Sequence, residues 1–279
     1  MATQKGKVVL IGAGPGDAEL ITVKATRWLS KADVVLVDRL VSPQIIEDYA
    51  SHYAEVIPVG KQCGRGASTP QSYINELIVK YAEKGKLVVR LKGGDVSIFS
   101  NVLDELQVLV ENGIEYEIIP GITAASGIAA FAAIPLTARN HSTGVRFLTY
   151  YKSDVLTEEY WKELAQTDDT LVFYMSAETA SKIVEKLTSY NISEDKLLAV
   201  IEQGTTPNQQ VTVTSLYDYA NSIVNRKLAS PSLLIIGRVV NLHKQYRWLK
   251  NGLNTEEYFE PVVPQPLEHY SGKQKLRIA

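Results

Sequence analysis

Val8-Val9-Leu10-Ile11-Gly12-Ala13-Gly14-Pro15-Gly16-Asp17 is the stretch on which the reading of this chain turns. Four apolar residues make a short buried-strand run, and a helical pattern follows the glycine-rich turn. A strand that delivers such a turn is the opening of an α/β unit, with its ligand loop at the carboxyl end of the strand. The turn fails as a dinucleotide fingerprint. Asp17 stands where a third glycine would let helix and strand pack and would face the helix N-terminus toward a pyrophosphate. Its charge opposes a phosphate, and Pro15 removes a backbone N–H that could cradle one. The turn suits a ligand that comes close to bare main chain and carries no phosphate, such as an adenosyl sulfonium.

Outward from this turn, strand-like runs alternate with helical patterns, which predicts mostly parallel α/β architecture. Strands are expected at 8–11, 34–37, 55–59, 87–91 and 115–119, with helices at 22–31, 71–84 and 102–112. The pattern restarts after Pro120-Gly121 with an Ala/Gly-rich helix at 123–132 and strands at 145–150, 170–174, 197–201, 210–213 and 233–236; a further helix covers 178–189. The expected division is an N-terminal α/β domain (1–120), a C-terminal α/β domain (121–240) and an extension (241–279) whose end, 260–279, reads as a surface tail or an oligomer contact.

A chain of 279 residues fits two domains. With 45% apolar and 22% charged residues and a net charge of −2, it reads as an ordinary globular protein that offers no general surface to nucleic acid or anionic membrane. One cysteine, Cys63, excludes an internal disulfide, and no Cys/His spacing suggests a metal. No apolar run reaches the length of a membrane span, and Met1–Lys7 has no signal-type apolar segment, so the cytoplasm is the expected compartment.

Four glycine-containing turns follow strands: Gly12–Asp17, Gly60-Lys61, Gly93-Gly94-Asp95 and Gly121-Ile122-Thr123-Ala124. Taken singly, Asp95 or Thr123 reads as a helix cap or as a ligand contact, because such turns use Asp and Thr for both. Together the four point to a site.

As an ordered set, VVLIGAGPGDAELITVKA, ADVVLVDRLVSPQI, VGKQCGR, VVRLKGGD, EIIPGITAASGIAAFAAIPLTAR, FYMS, IEQGTTPNQQ and PSLLIIGRVV resemble the tetrapyrrole methylase family over roughly residues 7–240. The resemblance implies two α/β domains with the active site in the cleft between them, a homodimer, and S-adenosylmethionine as methyl donor. It also implies methylation of two ring carbons of uroporphyrinogen III, giving precorrin-2 on the way to sirohaem or cobalamin. Carried over position by position, it assigns donor contacts to Pro15, Gly93, Gly94, Asp95, Ile98, Thr123, Ala124, Met175, Gly204, Pro231 and Ser232. It assigns Asp38 as proton acceptor and Lys61 as proton donor. Without it, Met175 and Ile98 read as core, Gly204 as a turn, Asp38 as a cap or a partner of Arg39, and Lys61 as a surface ammonium.

A substrate with eight carboxylates needs cations, and Arg39, Lys61, Arg65, Lys92, Arg139, Arg146 and Lys152 are the candidates, with Arg suited to paired contacts. The substrate set is Arg39, Arg65, Asn101, Asp104 and Arg139. The chain departs from the family after Gly93-Gly94-Asp95, where Asn101 takes an arginine position and Asp104 the first of two acidic positions; Arg146 or Lys152 is the expected compensation. It departs again at Tyr150-Tyr151-Lys152, where relatives place Gly-His. Other readings of the same residues are a later precorrin C-methyltransferase, a dinucleotide-dependent oxidoreductase using Asp38 on a ribose, and a non-catalytic tetrapyrrole sensor.

Overall fold

The structure is a computed structural model and describes residues 5–60, 69–150, 156–223, 228–254 and 256–259. Its first half runs β1 (Lys7–Gly12), α1 (Val23–Leu29), β2 (Val34–Val37), α2 (Pro43–Tyr49), β3 (Glu55–Pro58), α3 (Gln71–Glu83), β4 (Val88–Lys92), α4 (Val102–Glu111) and β5 (Glu115–Ile119). The strands form one sheet in the order β3-β2-β4-β1-β5, parallel throughout, with Val8 level with Val88 on one side and Tyr116 on the other. The apolar run in β1 has a direct cause. Val8 and Leu10 enter a core with Ile74, Ile78 and Leu109, while Val9 and Ile11 enter another with Ala25, Leu29 and Ile45. A sheet covered on both faces has no polar side to alternate with.

The second half runs α5 (Ala124–Phe131), β6 (Val145–Thr149), α6 (Glu158–Gln166), β7 (Thr170–Tyr174), α7 (Ala180–Ser189), β8 (Leu197–Glu202), β9 (Gln210–Ser215), α8 (Tyr219–Ile223), β10 (Ser232–Gly237) and α9 (Leu242–Tyr246). Its order is β6-β7-β10-β8-β9. Here the expectation of a mostly parallel sheet is corrected: β6 and β7 are parallel, but β10 runs antiparallel to β7 and β8, and β9 antiparallel to β8. The turn from Gln203 to Gln209 is too short for a parallel crossover, which needs a dozen residues or more, so β8 and β9 fold back as a hairpin.

The start of the C-terminal extension is packed. Trp248 lies on Phe131 and donates Nε1–H to the Ala130 carbonyl at 3.1 Å. The Tyr258 N–H donates to Gln203 Oε1 at 2.6 Å, the Tyr258 hydroxyl meets Ser42 Oγ at 2.8 Å, and Phe259 is fully buried. Residues 260–279 lie outside the described residues. No helix among the described residues is long and apolar enough to cross a membrane.

Candidate active site

All strands of the first sheet end on one side, at Gly12, Val37, Pro58, Lys92 and Ile119. In the second sheet Thr149 and Tyr174 end side by side, and Glu202 lies level with Ser232. The two sets of ends are linked. The Asp17 N–H donates to Thr205 Oγ1 at 3.1 Å, Arg39 Nη2 donates to Ser230 Oγ at 3.3 Å, and the Phe99 ring lies 5.0 Å from that of Tyr174.

Two glycine turns are locked to each other. The Gly14 N–H donates to the Gly94 carbonyl at 3.1 Å and the Gly94 N–H to the Gly14 carbonyl at 2.7 Å. A Cβ on Gly12 would stand 2.6 Å from the Gly121 nitrogen and 2.7 Å from the Gly94 oxygen, so three main chains meet without side chains. Gly94 has φ +68°, a left-handed conformation that favours glycine, and a Cβ there would meet only the Ala124 nitrogen, at 3.8 Å. Bare backbone thus opens toward the start of α5.

Asp95 and Asp17 serve as local fasteners. Asp95 accepts from the Ser97 N–H at 2.8 Å, from the Ser97 hydroxyl, and across to the Gly121 N–H at 2.9 Å. Burial works to raise its pKa, but these bonds outweigh burial and hold its carboxyl below the usual aspartate value. The Asp17 carboxylate caps a 3-10 turn by accepting from the Glu19 N–H. Asp95 caps no helix, since α4 starts only after Asn101; it closes a local turn on Ser97 and, through Gly121, ties together two of the glycine turns.

Thr123 sits at the N-cap of α5 without capping it. Its Oγ1 meets the Tyr174 hydroxyl at 2.7 Å, and that hydroxyl accepts from the Ala125 N–H at 3.0 Å. Ala124 follows, half-buried. Phe99 and Phe147 both pack on the Tyr174 ring. Met175, next in the chain, has φ +52° and is 52% exposed, so it is not the core residue that strand methionines usually become. Ile98 is half-buried against the core of the second half. Gly204 is buried, and a Cβ there would meet Ile128 at 2.5 Å. Pro231 accepts from the Gln203 N–H at 2.7 Å, and Ser232 Oγ is buried with no partner among the described residues.

Phe99, Asn101, Met175, Gln203 and Thr205 all have φ between +49° and +65°. Non-glycine residues in this conformation carry strain that surrounding structure must hold, and such residues gather at functional sites. No sequence pattern announces them.

The side chains around Asp38 form a buried charge cluster. Arg90 Nε contacts Glu105 Oε1 at 2.9 Å and Lys92 Nζ contacts Glu105 Oε2 at 2.9 Å, with Glu105 fully buried. Arg90 also donates to the carbonyls of Leu36 and Leu91, and its Nη2 stands 3.9 Å from Asp38 Oδ2. The other Asp38 oxygen accepts from the Arg39 N–H. Burial, joined by the like charge of Arg90, lowers the pKa of Lys92 despite the opposing pull of Glu105 and Asp38. Lys92, expected to meet substrate, is therefore occupied by Glu105. The sequence carried a signal for this. Arg90 and Lys92 alternate in an otherwise apolar strand, so both point to one face and need a buried anion.

Several expected groups stand elsewhere. Arg146 lies at the start of β6, held by Asp169 and Glu163 at 2.7 Å each, at the opposite end from Thr149 and Met175. It does not compensate for Asn101, which corrects that expectation. Asn101 and Asp104 are exposed at the start of α4. Arg139 occupies an exposed turn closed by the Ala138–Ser142 bridge, and Ser142 bonds Thr170 at the start of β7. Pro15 packs against Gly127 of α5, where a Cβ would meet the Pro15 ring at 2.5 Å; a Cβ on Gly93 would stand 2.8 Å from the Leu40 carbonyl oxygen. Lys61, Cys63, Arg65 and Lys152 lie outside the described residues.

Glycine turns, strained loops and the buried Arg90–Glu105–Lys92 cluster thus gather at the carboxyl ends of the first sheet, tied to the second half by the Asp17–Thr205 and Arg39–Ser230 bonds. The profile described as Tetrapyrrole (Corrin/Porphyrin) Methylases matches residues 7–220, and the chain belongs to that family. It is 41% identical over 258 residues to the uroporphyrinogen-III C-methyltransferase of Bacillus subtilis, covering 92% of this chain and all of that one. It is 46% identical over 245 residues to the siroheme synthase of Acinetobacter baylyi, covering 88% of this chain and 53% of the other. The chain spans about half the length of the siroheme synthases it matches. Among solved structures, it is similar to a Thermus thermophilus uroporphyrin-III C-methyltransferase complexed with S-adenyl homocysteine, at 29% identity and TM-score 0.70 over 85% of this chain and 94% of that one.

Proposed function

We propose that this chain transfers methyl groups from S-adenosylmethionine to two ring carbons of uroporphyrinogen III, giving precorrin-2 for sirohaem or cobalamin synthesis. The observation that carries this reading is the likeness to the Bacillus subtilis enzyme over that enzyme's whole length. Bound S-adenosylmethionine supplies an already activated methyl group, so the protein's task is position, charge and exclusion of water. The residues present fit such a donor. Gly94 leaves space in front of the α5 start, and the half-exposed Met175 and buried Gly204 border the same strand ends. Gly93, Asp95, Ile98, Thr123, Ala124, Pro15, Pro231 and Ser232 complete the donor set in this reading.

Asp38 takes the proton that leaves the macrocycle. It is part-exposed at the end of β2, aimed by the Arg39 N–H and faced by Arg90. Lys61 supplies a proton, and Arg39, Arg65, Asn101 and Asp104 receive the substrate's polar rim. The site lies in the cleft between an N-terminal domain ending near residue 120 and a C-terminal domain, with the chain working in the cytoplasm. Two copies pair through a face that includes Leu103, Val110, Tyr116 and Ile118, large apolar side chains that α4 and β5 leave exposed. A sedimentation run should show a dimer that Leu103→Asp weakens; a monomer in the parent protein would overturn that assembly.

Anaerobic incubation with uroporphyrinogen III and donor, followed by mass spectrometry, tests the activity. A gain of two methyl groups supports it, and a folded protein that adds none refutes it.

A further inference from the structure

We propose that Tyr174 is a positioning residue for the methyl donor: its hydroxyl fixes the start of α5 against the end of β7, so that the turns bordering the donor are held in one arrangement before it binds. This rests on the donor reading given above.

Tyr174 is the point where three segments of the donor set meet: the turn after β4, the start of α5 and the end of β7. Its hydroxyl bonds Thr123 and accepts from the Ala125 N–H, one of the free donors at the first turn of α5. Thr123 holds the N-cap position yet makes no cap bond of its own, so a tyrosine 51 positions along the chain does that work. Its ring carries Phe99 from the turn after Gly93-Gly94-Asp95, and Phe99 sits there at φ +50°. Its own backbone leads into Met175 at φ +52°. One strained residue thus packs on this buried ring and another follows it directly in the chain, conformations that surrounding contacts must enforce. On the far side Phe147 closes the cluster edge-on.

The hydroxyl stays protonated near neutrality. Burial is the largest influence and raises its pKa, with Asp95 adding to the rise against the opposing bonds from Thr123 and Ala125. It therefore accepts from the Ala125 N–H and shares a hydroxyl–hydroxyl bond with Thr123.

Removing this one oxygen leaves the ring and its aromatic contacts in place but strands the N–H of Ala125, a fully buried residue. The test is titration calorimetry of S-adenosylhomocysteine against the full chain, Tyr174→Phe and, as a matched control in the same half, Tyr219→Phe, which is equally buried and lies on α8. We expect Tyr174→Phe to weaken binding roughly tenfold, the scale of one buried bond left unmade, and Tyr219→Phe to bind like the parent. In turnover, the donor KM should rise while kcat at saturating donor and the tetrapyrrole KM hold. Equal binding by Tyr174→Phe and parent overturns the proposal, as does equal weakening by both variants. Amide hydrogen exchange at Ala125 reads the cap without any ligand: faster exchange in Tyr174→Phe supports the positioning and unchanged exchange overturns it. A parent that exchanges as expected but binds no S-adenosylhomocysteine refutes the donor reading and leaves the cap standing.

Discussion

Glu105→Ala removes the carboxylate that two buried cations share. Arg90 and Lys92 are 2% and 3% exposed, and both lean on Glu105 at 2.9 Å. Once it is gone, the nearest remaining anion is Asp38, 3.9 Å from Arg90 and part-exposed. Arg90 keeps its bonds to the Leu36 and Leu91 carbonyls, whereas Lys92 loses the partner described for it. Breaking a buried pair from one side costs about 3–5 kcal/mol, because a charge is left uncompensated. Glu105→Gln, which keeps the shape and two acceptor or donor positions, should fall between this and the parent. The sign of the pH dependence follows from Lys92. Its folded pKa lies below the ordinary lysine 10.5, so between that lowered value and 10.5 the unfolded chain holds more protons and stability rises with pH. Glu105 opposes that lowering, so its loss widens the window downward. The penalty in Glu105→Ala should therefore shrink as the solution is made alkaline. Urea unfolding followed by circular dichroism at several pH values measures both quantities. A loss under about 1 kcal/mol at neutral pH, typical of a surface pair, or a penalty that does not change toward pH 10.5, would refute the reasoning.

Gly94→Val should abolish donor binding while leaving a folded protein weakened by roughly 1–3 kcal/mol, because a β-branched residue at φ +68° is strained and fills the space before Ala124; calorimetry alongside thermal melting separates the two. Asp38→Asn should lower kcat by about 10²–10⁴ with little change in donor affinity, and single-turnover rates that match the parent would remove Asp38 from proton transfer. Asp95 has a folded pKa below the ordinary 3.8, so it stabilises above that value and the contribution is lost as acid carries the pH down through the folded pKa. Asp95→Asn should flatten the acid limb of a stability profile in that range; an unaltered limb counts against the bonds to Ser97 and Gly121.

The first sheet is legible at its centre, where β1 and β2 are apolar on both faces; β2 and β5 match their expected bounds and β1 and β4 do so within one residue, although edge strand β5 exposes Glu115, Tyr116 and Ile118. The second sheet was harder. A strand such as β10 looks the same from sequence whether it joins parallel or antiparallel, and only the short Gln203–Gln209 turn hinted at a hairpin. Gly94, Asp95 and Thr123 are marked in the sequence by their place just after strands, and the structure brings their turns together. Tyr174 was hidden because a tyrosine ending an apolar strand reads as core, and its partners are 49 and 51 residues away. Arg146 was misplaced although its position held the answer: as the second residue of a strand it must lie at the amino end, away from a site built on carboxyl ends. The anchors at Trp248, Tyr258 and Phe259 follow no periodicity, since each holds by its own contact rather than by a repeating face.

The mutual bonds between Gly14 and Gly94, and the contact of Gly12 with Gly121, have an evolutionary consequence. Three separate stretches of the gene encode a single mechanical joint, so a change in any one registers as damage to the others. Variation should therefore be inherited across these turns as a block, with second-site suppressors of one arising in its distant partners rather than beside it.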